Sequence, residues 1–335
     1  MNKKVLIAIS GGVDSSLAAH CLLKNGYDVI GLFMQFFSFG QRRDLEKAAA
    51  VAARLKIPLS ALDLRDDFQD QVIKYSNREY AFGRTPNPCI VCNQKVKFKH
   101  LLKKAEELSA DYISTGHYAR VEYDADKKGF FLKQGVDNSK DQSYMLSGLN
   151  RQWLSRIIFP LGGYTKNKVK ALAKKLNLEG CNSPESQDIC FSDRGKDLCP
   201  GPIIDKQNNI LGSHNGISHF TIGQRKGLGI AGREPLYVTR IDGKRNAVLV
   251  GNRKEIEQDE LSAGGLNWLT PERPCFPFRA QVKIRYRHPK SWATVFRLAK
   301  DRVNVKFDLA QSAVTPGQTA VFYDQEIVLA GAWIE

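Results

Sequence analysis

Two groups of residues in this chain have the types and spacing to do chemistry. The first is Ser10-Gly11-Gly12-Val13-Asp14-Ser15-Ser16, which follows the apolar run Val5-Leu6-Ile7-Ala8-Ile9 and precedes a helical pattern from Leu17 to Leu23. A strand, a glycine turn and a helix N-terminus in that order make an anion site. Gly11 and Gly12 let the backbone turn tightly and approach a ligand. The first helical N–H groups then point unpaired into the turn. Ser15 and Ser16 add hydroxyls. Several converging donors suit a phosphate chain better than a carboxylate. No lysine follows the glycines, so this is not the common G-x-x-x-x-G-K-[ST] loop. The dinucleotide pattern G-x-G-x-x-G is absent as well.

The second group is cysteine. Gly83-Arg84-Thr85-Pro86-Asn87-Pro88-Cys89-Ile90-Val91-Cys92-Asn93 carries two prolines within three residues, which predicts a stiff loop rather than helix. A helix over 94–108 would then place Cys92 at its N-terminus, where the dipole and the nearby Lys95 and Lys97 lower a thiol pKa. Cys190 stands between Ile189 and Phe191, partly shielded. Seven cysteines are an odd number, which argues against a disulfide framework. Cys181, Cys190 and Cys199 form no close pair, so structural zinc is disfavoured. Two readings stay open. Cys92 and Cys190 are a sulfur-handling pair, one carrying a persulfide and the other attacking. Alternatively Cys89, Cys92 and Cys190 ligate an iron–sulfur cluster with one open iron.

The elements that must position these residues alternate at first. Strand signals at 4–9, 28–33 and 59–64 are separated by helical patterns at 14–25 and 41–56. Helix 66–82 leads into the cysteine loop, and Tyr112 to Tyr118 forms the next strand and its exit. This rhythm predicts an α/β fold, a doubly wound parallel sheet with helices on both faces. Ligands bind such sheets beyond the strand C-termini, which brings Met34 near the nucleotide. Strands are expected at 118–123 and 129–134, then the polar loop Asn138 to Tyr144, then helices at 150–158 and 165–177. From about residue 200 the pattern becomes all-β, with strands at 217–222, 235–241, 245–250, 279–286, 292–298, 303–307, 319–323 and 327–333. These read as two small barrels divided near Gly264-Gly265. The expected domains are 1–199, 200–264 and 265–335.

Composition narrows the partners. With 50 Lys plus Arg against 35 Asp plus Glu, the net charge of +15 favours a polyanion, most often nucleic acid. Lys283-Ile284-Arg285-Tyr286-Arg287 combines cations with an aromatic ring, suited to phosphate contact and base stacking. No apolar run approaches the roughly 18 residues of a membrane span. The chain enters a strand directly after Met1-Asn2-Lys3-Lys4, leaving no room for a signal peptide, so a cytoplasmic protein is expected.

SGGVDSS resembles the pyrophosphatase loop of ATP-pyrophosphatases. With GRTPNPCIVCNQKVKF, TGHYAR, NSKDQSYML, SQDICF, FTIGQRKGLGI and VTPGQTAVFY in this order, nearly the whole chain resembles the tRNA-specific 2-thiouridylases. The resemblance implies replacement of the C2 oxygen of the wobble uridine (position 34) of tRNA by sulfur. ATP, with Mg2+, adenylates that oxygen, and sulfur from a cysteine persulfide displaces AMP. By motif, Ala8, Ile9, Ser10, Gly11, Gly12, Val13, Asp14, Ser15 and Met34 bind ATP, with Gly116 near the adenine. Cys92 resembles the nucleophile and Cys190 the persulfide carrier. Asn87, Pro88 and Cys89 approach the target base. His117, Lys140, Asp141, Gln142, Arg285, Tyr286 and Gln318 contact tRNA. An upstream persulfide donor protein is a further implied partner, and the family architecture is a pyrophosphatase domain, a small central β domain and a C-terminal β-barrel. The chain departs from the pattern in short segments at 35–44 and 192–203 and in Cys89, where some members have Asp. Those departures leave two other readings: an ATP-dependent sulfurtransferase paralogue with another substrate or a [4Fe-4S] cluster, and a non-catalytic tRNA-binding relic.

Overall fold

The computed structural model describes residues 2–37, 41–178, 199–230 and 234–335. Cys181, Cys190 and the SQDICF stretch lie outside the described residues, as do 38–40 and 192–198 of the two short segments.

The first part runs β1 (Lys4–Ala8), α1 (Val13–Lys24), β2 (Asp28–Gln35), α2 (Gln41–Leu55), β3 (Leu59–Asp63), α3 (Arg65–Phe68), α4 (Lys74–Ala81), α5 (Pro88–Val91), α6 (Phe98–Glu107), β4 (Tyr112–Ser114), β5 (Ala119–Asp124), β6 (Gly129–Gln134), β7 (Ile157–Ile158) and α7 (Lys166–Lys175). Five strands form a parallel sheet in the order β3-β2-β1-β4-β7. The central strand β1 is a continuous apolar run because both faces of the sheet are covered. Leu6 joins the core under α6, while Val5 and Ile7 join the core under α1 and α2. The expected α/β layer is therefore present.

Several elements differ from the sequence reading. The helix expected at 66–82 is interrupted by a π-helical turn at Gln69–Ile73. The cysteine helix starts at Pro88 rather than 94, and a second π segment, Cys92–Lys97, joins α5 to α6. A proline excludes the helix interior but not its first residue, where the missing N–H has no helical partner in any case. Residues 151–156 form a 3₁₀ turn that leads into β7, in place of a longer helix. The strand expected at 217–222 is a 3₁₀ turn and loop.

The second half is all-β. Strands β8 (Gly201–Ile204), β9 (Ile210–His214), β10 (Tyr237–Asp242) and β11 (Ala247–Gly251) make a sheet in the order β10-β11-β8-β9 around Ile203, Phe220, Val238 and Val248. Then β12 (Glu257–Trp268), β13 (Phe278–Lys283), β14 (Ser291–Arg297), β15 (Val303–Ser312), β16 (Thr319–Asp324) and β17 (Ile327–Ile334) follow the order β12-β15-β14-β13-β16-β17. β17 pairs back onto β12 and closes a six-strand barrel. β12 runs without a break through Gly264-Gly265. The sequence reading did not contain β8, β9 and β12, whose composition is too polar or too glycine-rich to give a clear alternation.

The barrel and the parallel-sheet domain are not separate bodies. The β5–β6 hairpin extends the barrel sheet, with Ile327 paired to Lys133. Arg120 Nη2 bonds Glu326 Oε2 at 2.5 Å, and Lys133 Nζ bonds Glu122 Oε2 at 2.7 Å. Leu132, Tyr144, Leu146 and Leu149 share one core with Leu269, Val321, Tyr323 and Val328 of the barrel. Leu146 has no exposed surface in that core. Leu146→Ala is expected to cost about 2–5 kcal/mol, read from the urea midpoint at unchanged slope.

Candidate active site

The phosphate-type turn forms as the sequence requires. Gly11 adopts φ +77°, a conformation that disfavours side chains, and a Cβ there would lie 2.7 Å from Lys47 Cβ on α2. Gly12 caps α1 without a side-chain bond. Ser15 Oγ accepts the Ser10 N–H at 3.2 Å and donates to the Gly12 carbonyl at 3.1 Å. Ser16 Oγ donates to the same carbonyl at 2.8 Å. The hydroxyls thus brace the turn, and backbone N–H groups are left to face a ligand. Ala8 and Ile9 end β1 beneath it, and Val13 opens α1. Met34 is buried at the end of β2.

Asp14 carries a contact absent from the sequence reading. Lys166 Nζ donates to its two carboxylate oxygens at 2.7 and 2.8 Å, and Tyr118 Oη donates to Oδ1 at 2.7 Å. The loop has no lysine of its own; a lysine from the start of α7 supplies the cation. Nothing in local spacing marks Lys166. The only signal was the need for a positive charge beside an anion site that has an aspartate and no adjacent lysine.

Gly116 and His117 connect this turn to the cysteine helix. A Cβ on Gly116 would lie 2.9 Å from the Ser15 nitrogen, so the loop after β4 rests directly on α1. His117 packs its ring near Phe98 of α6 at 5.9 Å and Phe159 at 6.0 Å, and Nδ1 lies 2.7 Å from Thr115 Oγ1. Burial, with a smaller push from Lys97, takes its pKa down to about 3. It is a neutral ring at neutral pH.

Asn87 is the N-cap, Pro88 is the first residue of the cysteine helix, and Cys89 lies in the first turn. The dipole expected at Cys92 therefore acts first on Cys89. Cys92 sits one turn further in and is buried, at 6% exposure. The next side chain, Asn93, donates from Nδ2 to the Met145 carbonyl at 2.9 Å, and its buried Oδ1 has no partner. The segment before the helix is gripped from the barrel. Gln318 Nε2 donates to the Thr85 and Pro86 carbonyls at 3.1 Å each, and Thr85 N–H donates to the Pro316 carbonyl at 2.9 Å. A Cβ on Gly83 would lie 2.5 Å from the Ile241 carbonyl oxygen, so the central sheet also touches this segment.

The barrel edge beside it is basic. Lys283 and Lys290 have pKa values pushed down by burial and partly restored by Asp141, and burial also lowers that of Arg285. Tyr286 stacks near Tyr144 at 6.2 Å, and its pKa is raised by burial first, then by Asp141, with Cys89 close enough to add to the rise. Asp141 itself is buried and spends its carboxylate on the protein. It accepts from Gln134 Nε2 at 2.9 Å, Gly135 N–H at 3.0 Å, and Ser143 N–H and Oγ at 3.1 and 2.9 Å. Gln142 bonds the Tyr118 backbone in both directions, at 2.8 and 2.9 Å. Lys140 is half-buried in the same loop. Among the described residues no three His, Cys, Asp or Glu side chains gather as metal ligands; Cys190, the third ligand of the cluster reading, lies outside the described residues.

Comparison with known proteins agrees with this layout. Family models described as the tRNA methyl transferase HUP domain, the tRNA methyl transferase PRC-barrel domain and the aminomethyltransferase beta-barrel domain match residues 3–194, 192–252 and 258–334. The chain is 44% identical over 356 residues to the tRNA-specific 2-thiouridylase MnmA of Acetivibrio thermocellus, covering 99% of both chains. It is 45% identical over 358 residues to that of Geotalea uraniireducens, covering 99% of this chain and 95% of that one. A solved 4-thiouridine synthetase–RNA complex with bound ATP is 21% identical, with a TM-score of 0.40 over 56% of this chain and 44% of that one.

The geometry fixes the acid response of His117. Between its ordinary pKa of 6.5 and the folded value of about 3, the unfolded chain takes up a proton and the folded chain does not. This part of the stability is present above pH 6.5 and is lost as pH falls through that window. The His117 ring signals should show no titration by NMR between pH 5 and 8, and His117→Gln should flatten the fall in stability on acidification.

Proposed function

The chain belongs to the tRNA-specific 2-thiouridylase family, and from that premise we propose that it thiolates the wobble uridine of tRNA at C2, using ATP and sulfur from a cysteine persulfide. The observation that carries the reading is the convergence of three parts. Gly116 and His117 tie the phosphate turn to the cysteine helix, and Gln318 and Tyr286 of the basic barrel edge stand against the start of that helix.

The chemistry follows from the parts. Uridine O2 is a poor leaving group. Its attack on the α-phosphorus of ATP forms an O–P bond and expels pyrophosphate, leaving an adenylate at C2. The N–H groups of Gly11 to Val13 suit the phosphate chain. Magnesium would accompany the triphosphate and offset its charge; Asp14, whose side chain is 35% exposed, would hold it in exchange for a bond to Lys166 or Tyr118. The terminal sulfur of a Cys190 persulfide then attacks C2, and AMP departs with the O2 electrons. The Cys92 thiolate attacks the inner sulfur of Cys190, which releases the thiouridine sulfur and leaves a Cys92–Cys190 disulfide. An upstream persulfide donor and a thiol reductant restore the pair.

Cys92 is buried and the target base is normally stacked, so the uridine must be turned out of the anticodon loop to reach it. The partly exposed Cys89, with the buried Asn87 and Pro88 behind it, would meet the base on its way in. Lys283, Arg285 and Lys290 have given up water with one buried carboxylate, Asp141, among them, an arrangement that favours an incoming phosphate backbone. Lys140, Gln142 and Gln318 would contact the same RNA from either side. No helix among the described residues is long and apolar enough to cross a membrane, and a tRNA substrate would suit a cytoplasmic protein. Similarity over nearly the full length of the relatives supports this reading over a paralogue with another substrate. The domains at work would be those expected at 1–199, 200–264 and 265–335, with the last boundary moved ahead of β12, which belongs to the barrel.

The test is ATP-dependent transfer of labelled sulfur, from a cysteine desulfurase mixture, into an unmodified tRNA transcript with a wobble uridine. Label should appear at that uridine and fall to background in Cys92→Ser and Cys190→Ser. Retention in Cys89→Ser fits the two-cysteine relay, whereas loss there as well would replace it with a cluster. Absence of label in the unaltered protein, with tRNA still bound, would overturn the activity.

A further inference from the structure

Two chains of contacts leave one loop, residues 137–142, and meet at Asp14. On the first, Gln142 N–H donates to the Tyr118 carbonyl at 2.8 Å, and Gln142 Oε1 accepts the Tyr118 N–H at 2.9 Å. The Tyr118 hydroxyl then donates to Asp14 Oδ1 at 2.7 Å. On the second, Asp137 Oδ2 accepts the Lys166 N–H at 2.9 Å, and Lys166 Nζ donates to Asp14 at 2.7 and 2.8 Å. The loop is itself braced. Asp137 Oδ1 accepts the Ser139 N–H and hydroxyl at 3.0 and 2.6 Å, and Asp141 is held by the bonds described above. A displacement of the loop therefore reaches Asp14 by both routes.

Asp14 stands in the first turn of α1, beside the anion site. An uncompensated carboxylate there repels a triphosphate. Lys166, only 8% exposed and 5.6 Å from the Tyr118 ring centre, compensates it at contact distance, while the Asp14 side chain stays 35% exposed on its other side. The placement of two donors thus decides how much negative charge the phosphate turn presents.

We propose that Tyr118 and Lys166 are positioning residues for the nucleotide step, through which loop 137–142 sets the Asp14 carboxylate, so that RNA bound at the loop changes the affinity of the phosphate turn for ATP. The inference rests on the ATP and tRNA reading above. By linkage the coupling is reciprocal: ATP changes the affinity for tRNA by the same factor.

The experiment measures direct binding of a non-hydrolysable ATP analogue with and without a saturating unmodified tRNA transcript, and binding of the transcript with and without the analogue. In the unaltered protein each ligand should tighten the other by about fivefold or more. Tyr118→Phe, which removes one hydroxyl and keeps the ring, should bring that factor to within about twofold of unity while tRNA still binds. Lys166→Met should do the same, and Lys166→Arg should restore much of the coupling. A merely structural role would lower stability and leave the factor unchanged. A factor near unity in the unaltered protein, or a factor that survives in both Tyr118→Phe and Lys166→Met, overturns the inference. Sulfur transfer run on the same preparation separates the causes. Thiolation without coupling rejects this inference alone, and loss of both ATP and tRNA binding rejects the underlying reading with it.

Discussion

The grip on Arg84 to Pro88 is the constraint the rest of the structure depends on. A cysteine one turn into a helix takes its position from that first turn, and this helix begins at a proline with no capping side-chain bond. Its entry is instead held from outside. The barrel donates through Gln318, the Pro316 carbonyl takes the Thr85 N–H, and Arg84 pairs with the buried Glu79 at 2.7 Å. The central sheet closes on Gly83. Three parts of the chain therefore set the position of one short segment, and none of them could set it alone.

The same logic explains why the domains share a core. Tyr144, which has no exposed surface, donates its hydroxyl to the Thr319 carbonyl of the barrel at 2.9 Å. Asn267 of the barrel reaches back, donating to the Ser147 and Leu149 carbonyls at 2.8 and 2.9 Å. Buried amides and hydroxyls that must find partners specify one docking geometry, where apolar contact alone would tolerate several. An interface of this kind holds the basic barrel edge at fixed distance from the cysteine helix.

Much of this was legible in the residues. SGGVDSS behind a strand predicted its turn because glycine and helix-start chemistry are local. The parallel sheet followed from apolar runs that are themselves local. What stayed hidden was non-local. Lys166 reaches Asp14 from far along the chain, and no spacing rule connects them. Asp141 was read as an RNA contact, yet here its carboxylate is consumed by four internal donors, which only the fold could reveal. The start of the cysteine helix was misjudged because proline reads as a breaker unless it is known to stand first. β12 was missed because its exposed first third, Glu257 to Glu260, carries no apolar alternation.

The β5–β6 hairpin carries a consequence for biosynthesis. It leaves the parallel sheet early in the chain, but its second strand, β6, pairs with β17, far downstream in sequence. A nascent chain emerging from the ribosome must therefore hold an open strand edge, with Leu132 and Tyr144 lacking their barrel neighbours, until β17 has been made. Contacts so distant in sequence slow folding and lengthen exposure to aggregation. Deletion of β17 would open the barrel and, with it, uncover the first domain's core.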